Sequence, residues 1–114
     1  MNKSVHFGDY PPKDEVYNWT SDGSGDATVS IVNIKNRRLR SVKTVPGTGV
    51  SAYSVTLIDE DGLDLFDSEG LNRSATVAEA FYADTDIFMP DQELTLTISG
   101  AGDTKTGTVY LRVE

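Results

Sequence analysis

Two stretches near the end of the chain constrain its fold more than anything else in it. Glu93-Leu94-Thr95-Leu96-Thr97-Ile98-Ser99 alternates apolar and polar residues without a break, and Gly107-Thr108-Val109-Tyr110-Leu111-Arg112-Val113 alternates again. Period two sends Leu94, Leu96 and Ile98 to one face of an extended strand, and Thr95 and Thr97 to the other. Gly100-Ala101-Gly102-Asp103 lies between the runs and has the composition of a turn, so the pair reads as a β-hairpin. The second run reaches Val113, which predicts that this end of the chain is strapped into a sheet.

The rest of the sequence repeats the pattern in weaker form. A strand is expected over Glu15–Thr20 with Val16 and Trp19 buried, then a turn at Ser21-Asp22-Gly23-Ser24-Gly25. Ala27, Val29 and Ile31 alternate with Thr28 and Ser30 in a second strand over Asp26–Ile34, and Lys35-Asn36-Arg37 turns the chain. Leu39, Val42 and Val45 do not share a face in simple alternation, so a third strand over Arg38–Val45 needs a bulge. Tyr53, Val55 and Leu57 mark a fourth strand over Ala52–Ile58. Asp59-Glu60-Asp61-Gly62 is a tight acidic turn in which Gly62 suits a positive φ. Leu63, Leu65 and Phe66 suggest a short fifth strand, and Asp67–Ser74 a loop. Ala75–Tyr82 fits a helix face or a sheet edge, and its all-β surroundings favour strand. Asp84-Thr85-Asp86 and Pro90-Asp91 bracket Ile87-Phe88-Met89. Seven or eight short strands separated by Gly/Asp turns predict an all-β, antiparallel β-sandwich of jelly-roll or Ig-like type. The sandwich is expected over residues 16–114, preceded by an extended arm over residues 1–15, where Pro11-Pro12 favours a polyproline-like conformation. Phe7 and Tyr10 are large apolar groups on that otherwise polar arm, and such groups dock somewhere.

Composition narrows the classes of function. A chain of 114 residues is one modest domain. It has no cysteine, which excludes disulfides and thiolate chemistry. No apolar run approaches the roughly 18 residues that cross a bilayer, and Met1–Asp9 lacks the apolar segment of a secretory signal, so synthesis and retention in a cytoplasm are expected. A net charge of −8 opposes nonspecific binding of duplex DNA. Five of the ten basic residues, Lys35, Arg37, Arg38, Arg40 and Lys43, nevertheless fall within nine positions. On a regular strand Arg38 and Arg40 would share a face with Val42, opposite Lys43. The cluster reads either as an edge strand charged against other edges or as a grip on a partner's carboxylates. Without interleaved aromatics it does not suit stacking on single strands. Basic strand and acidic turns together form a self-complementary pair that suits ring or lattice contacts.

Catalytic chemistry has little to draw on. The single histidine, His6, sits on the arm, where general-base work would require it to be held in place. Asp59-Glu60-Asp61-Gly62-Leu63-Asp64 with Asp67 invites a calcium reading, but Leu57 stands where the first ligand of an EF-hand loop belongs and no glutamate closes the loop. No cofactor is expected.

A series of motifs carries a resemblance. Tyr17-Asn18-Trp19-Thr20-Ser21-Asp22 leads to Gly25-Asp26-Ala27, then to Tyr53-Ser54-Val55-Thr56-Leu57-Ile58-Asp59-Glu60-Asp61-Gly62-Leu63-Asp64-Leu65 and Leu71-Asn72-Arg73-Ser74. It closes on Leu94–Gly102 and Gly107–Leu111. The series resembles small structural proteins encoded in the virion modules of tailed bacteriophages, over roughly residues 16–113. The resemblance implies a β-sandwich that assembles in many copies in the virion, built in the host cytoplasm. An accessory head-decoration (cement) role is the first expectation, with major capsid protein, other virion proteins or sibling subunits as partners, and neither membrane nor specific nucleic acid. A head–tail connector, neck or tail component is the alternative, and a carbohydrate-binding module of a fibre another. The candidate contact residues are Phe7, Tyr10, Trp19, Arg37, Arg38 and Arg40.

Overall fold

The computed structural model describes residues 13–31, 37–88 and 93–113. Seven strands run in order: β1 (Lys13–Thr20), β2 (Ala27–Ile31), β3 (Arg38–Pro46), β4 (Ser54–Ile58), β5 (Glu79–Phe88), β6 (Leu94–Ser99) and β7 (Thr106–Val113). They form two antiparallel sheets, a four-stranded one in the order β1-β7-β3-β5 and a three-stranded one in the order β2-β6-β4. The expected all-β sandwich is the fold. Its first strand begins at Lys13, so residues 13–15 belong to the sheet and not to the arm.

The two alternating runs are strands, but they do not form a hairpin. β6 pairs with β2 and β4, whereas β7 pairs with β1 and β3. Gly100–Lys105 therefore carries the chain from one sheet to the other. Each run has an inward apolar face, and alternation alone cannot say whether two such faces lie side by side or opposite one another. Ser21 ties this crossing down. It is 4% exposed, its hydroxyl donates to the Gly102 carbonyl at 2.5 Å, and the Lys105 amide donates to that hydroxyl at 2.7 Å.

The core lies between the sheets. Leu94, Leu96, Ile98, Val55, Leu57 and Ile31 meet Val109, Leu111, Val113, Leu39 and Val42, all at 1% exposure or less. Two aromatic pairs pack within it. Trp19 and Tyr53 sit with ring centroids 5.4 Å apart and tilted by 56°, and Phe66 meets Phe81 edge to face at 5.4 Å. Register explains why Trp19 is buried and Val16 is not. β1 pairs Trp19 with Gly107 and Val16 with Tyr110, so the two residues lie on opposite faces and Val16 is 50% exposed, contrary to expectation. Residues three apart on a strand cannot share a face. The indole lies over Gly107, where a Cβ would fall 2.6 Å from its Cε2.

The bulge expected in β3 is present. Pairing with both neighbours shifts between Leu39 and Ser41. The extra residue is Arg40, which lets Leu39 and Val42 both point inward. Arg38 and Arg40 thus do not share the face of Val42. Nor is β3 an edge, because it lies between β7 and β5, so the basic cluster does not serve to protect a sheet edge. β5 continues through Asp84-Thr85-Asp86 instead of breaking there, with Ala83–Asp86 set opposite the bulge.

The expected fifth strand at Leu63–Phe66 is absent. Asp59–Ala78 instead wraps the outer edge of β4. The Val55 amide donates to the Gly70 carbonyl at 2.8 Å, Leu65 to Leu57 at 2.7 Å, and single bridges join Tyr53 to Arg73 and Ile58 to Asp64. Gly62 takes the positive φ foreseen for it, 86°. An otherwise open edge is sealed without a strand.

Replacing Gly107 with Ala should displace the indole and cost about 1–3 kcal/mol, the usual range for overpacking. Urea titration of Gly107→Ala would show it, together with a red shift in the emission of the chain's single tryptophan. A midpoint unchanged from the parent protein would contradict the assigned role of Gly107.

Candidate functional site

Among the described residues, the sequence-predicted contact residues do not converge. Phe7 and Tyr10 lie outside the described residues. Trp19 is 2% exposed and serves the core. It is also at the wrong end, since β3 pairs Pro46 with Gly107 beside Trp19, and Arg38 starts the same strand. Eight steps along a strand span about 26 Å. Arg37 is half-buried, and Arg38 and Arg40 are exposed, at the end of the sandwich where β3 begins. His6, Lys35 and Met89–Gln92 lie outside the described residues.

The two outward faces differ sharply in chemistry. On the three-stranded sheet the rows read Thr28–Thr97–Thr56 and Ser30–Thr95–Ile58, nearly all hydroxyl side chains. The Ser30 hydroxyl donates to the Glu93 carboxylate at its margin. On the four-stranded sheet the register brings together Val16–Tyr110–Lys43–Ala80, Asp14–Arg112–Ser41–Tyr82 and Asn18–Thr108–Val45. Val16 is 50% and Tyr82 72% exposed, and Tyr110 and Val45 are half-buried. Polar groups on this face are already paired with each other. Arg112 meets Asp14 at 3.3 Å, the Lys43 ammonium lies 5.6 Å from the centre of the Tyr110 ring, and the Thr108 hydroxyl donates to Asn18 Oδ1 at 2.8 Å. At one end, Asn18, Thr20, Val45, Thr106 and Thr108 border a shallow groove of about 320 Å³.

This face is the candidate functional surface. It combines exposed apolar area with cations that are partly held in place, the chemistry of a protein-contact patch. Sequence reading missed it because it treated Val16 as core and left Tyr82 in an ambiguous segment. The available signal was parity: once Trp19 is inward, Val16 must be outward.

The acidic loop is ordered by its own backbone. Asp64 Oδ1 accepts from the Leu57 and Phe66 amides, each at 3.0 Å, and Oδ2 from Ser68 at 3.1 Å. Asp59 Oδ1 accepts from Asp61 and Leu63, both at 2.9 Å. These bonds hold Asp67 and Ser68 at φ of 51° and 67°, a region non-glycine residues rarely enter. Among the described residues no group of three or more acids and histidines is placed to hold a metal. Behind the loop, Arg73 stacks on Phe81 at 5.3 Å and meets Glu79 at 3.7 Å, and Glu79 accepts from the Ser74 amide at 2.7 Å. In the 21–26 turn, Asp22 accepts from the Asp26 and Ser24 amides, which hold its carboxyl below the ordinary aspartate value.

Two phenols are shifted upward. Burial, and then the Glu15 carboxylate on the same strand face, push Tyr17 up to about 12. Burial raises Tyr53 as well; its hydroxyl makes no bond within hydrogen-bonding geometry, although neighbouring Thr44 and Arg73 temper the rise.

Two outcomes follow from these environments. Asp64→Ala strands buried amides and should cost about 1–3 kcal/mol in urea titration, whereas Asp61→Ala at the exposed tip should stay within about 0.5 kcal/mol. Equal losses would refute the role given to Asp64. For Tyr17, the folded chain keeps a proton that the unfolded chain releases, between pH 10 and about 12. Stability from this group is therefore complete below pH 10 and declines as pH climbs through that window. Tyr17→Phe should flatten this alkaline decline, and absorbance titration should show one fewer late-ionising phenol. Compared with known proteins, the sequence matches no family model and no curated protein.

Proposed function

We propose that the chain is a virion structural protein of a tailed bacteriophage, an accessory decoration protein that binds a capsid surface by protein–protein contact. One observation carries this reading: among the described residues, exposed aromatic and aliphatic groups flanked by cations lie on the outward face of the four-stranded sheet and not on that of the three-stranded sheet. A face kept merely soluble resembles the hydroxyl rows of the three-stranded sheet. The four-stranded face carries Val16, Tyr82, Tyr110, Lys43 and Arg112 instead. Large exposed apolar side chains on a sheet face suit burial against another protein, and the basic groups suit acidic surfaces. The exposed Arg38 and Arg40 extend the basic character to one end of the sandwich. The resemblance over residues 16–113 adds the virion setting.

A neck or tail position would use the same contacts in a ring, where a net charge of −8 suits a lumen that repels passing DNA. A glycan-binding reading draws on Tyr82 and Tyr110, which lie on the same outward face.

Immunogold labelling of purified particles made from the genome that encodes the chain separates these readings. Label across the head is expected. Label confined to the head–tail junction or tail would favour the ring position, and unlabelled particles would overturn the virion assignment. Binding to a glycan array that is lost in Tyr82→Ala would promote the carbohydrate reading.

A further inference from the structure

Twenty residues, Asp59–Ala78, join β4 to β5 and contain no strand. Connections of that length inside a small domain are uncommon and are usually functional. This one covers the outer edge of β4 with a partial copy of a strand. The amides of Tyr53, Val55 and Leu57 all point to it: they donate to the Arg73 carbonyl at 3.3 Å, the Gly70 carbonyl at 2.8 Å and Asp64 Oδ1 at 3.0 Å. In return the Arg73 and Leu65 amides donate to the Tyr53 and Leu57 carbonyls at 2.6 and 2.7 Å. Both bridges, Tyr53 with Arg73 and Ile58 with Asp64, are antiparallel. A regular antiparallel strand would set six residues against Tyr53–Ile58, whereas this segment uses the ten of Asp64–Arg73. We propose that Asp64–Arg73 is a guard strap that opens as one unit while the two sheets stay folded, baring the edge of β4.

Three observations carry the proposal. The first is strain. The surplus residues are taken up in turns over Leu65–Gly70, and Asp67, Ser68 and Asn72 take φ of 51°, 67° and 56°. These are three of the four non-glycine residues with positive φ among those described, so the unfavourable backbone of the domain is gathered in its strap. The second is thin anchoring. Between Asp59 and Ala78, Phe66 is the one buried side chain, packed edge to face on Phe81. The larger aliphatic groups Leu63, Leu71 and Val77 are 62%, 41% and 60% exposed, so most of the segment gains little from lying where it does. The third is that β4 holds its place without the strap. It is laddered to β6 along all five of its residues, and Val55 and Leu57 are buried in the core. Opening therefore changes a sealed edge into one with three bare amides while the strand beneath persists. A bare edge pairs with other chains through its main-chain groups, so the strap sets how often this edge is available.

Native-state hydrogen exchange, read by NMR on the whole isotope-labelled chain in increasing but sub-denaturing urea, tests this. The amides of Val55, Leu57, Leu65 and Arg73 lie between strap and β4. Those of Ser54, Thr56 and Ile58 point the other way, to β6. The first set should be protected at least about tenfold less than the second, which gives an alternating pattern along a single strand. Its members should share one opening with a weak dependence on urea, because little surface is exposed. Equal protection of both sets, with the urea dependence of global unfolding, overturns the proposal. So does a first set whose members open independently. A lock supplies the converse. The Asn72 amide donates to Ser54 Oγ at 3.2 Å, so Ser54→Cys with Asn72→Cys sets two thiols side by side in a chain with no other cysteine. When oxidised, this variant reaches the bare edge only by unfolding, and the first set should rise to the protection of the second. When reduced, it should exchange like the parent. An oxidised form in which the two sets remain apart overturns the proposal.

Discussion

The contact of Trp19 with Gly107 sets the parity of the four-stranded sheet. It fixes which residues of β1 face the core, and through the β1–β7 register it does the same for β7. With Trp19 inward, Tyr17 and Glu15 follow it, and Val16, Asn18 and Asp14 turn to solvent. A slip of one residue would exchange these sets and set Asp14 and Asn18 inward, opposite Val113 and Val109 for a slip in one direction. The large indole and the missing side chain opposite it fit only one alignment. The candidate surface is therefore a by-product of core packing: the step that buries the tryptophan is also the step that exposes Val16 beside Tyr110.

The bulge at Arg40 makes a second adjustment of the same kind. It lets β3 supply Leu39 and Val42 to the core while keeping Lys43 outward next to Tyr110. β5 absorbs the mismatch over Ala83–Asp86, where its pairing with β3 is interrupted. Without the extra residue, either Leu39 or Val42 would face water.

Much of the fold was legible in the sequence. The alternation at Leu94–Ile98, Tyr53–Leu57 and Val109–Val113 identified β6, β4 and β7, and the clash of Leu39 with Val42 announced the bulge. Partnership was not legible. Whether β6 and β7 pair or face one another depends on the other five strands, and period two is silent on that. Leu63–Phe66 looked like a strand because Leu and Phe recur there at short spacing. The carboxylate of Asp64 instead captures nearby amides and bends the chain around β4. Of the surface, the basic residues were visible as a composition bias, but the apolar groups among them depended on parity. Val16 could be read correctly only once the inward direction of Trp19 was known.

The position of β7 has a consequence for how the protein is made. β1 has β7 as its pairing neighbour in the sheet, and β7 also lies against β3. At ribosomal speeds of about 5–20 residues per second, roughly 5–20 s separate the emergence of β1 from that of β7. During that interval the first strand has exposed backbone on both sides and no partner of its own. Glu15, on an inward row of this edge, places a charge where a stray strand would have to bury it. Nascent chains stalled before Thr106 would be expected to recruit a chaperone, and the domain to close only when its last strand slides into the middle of the sheet.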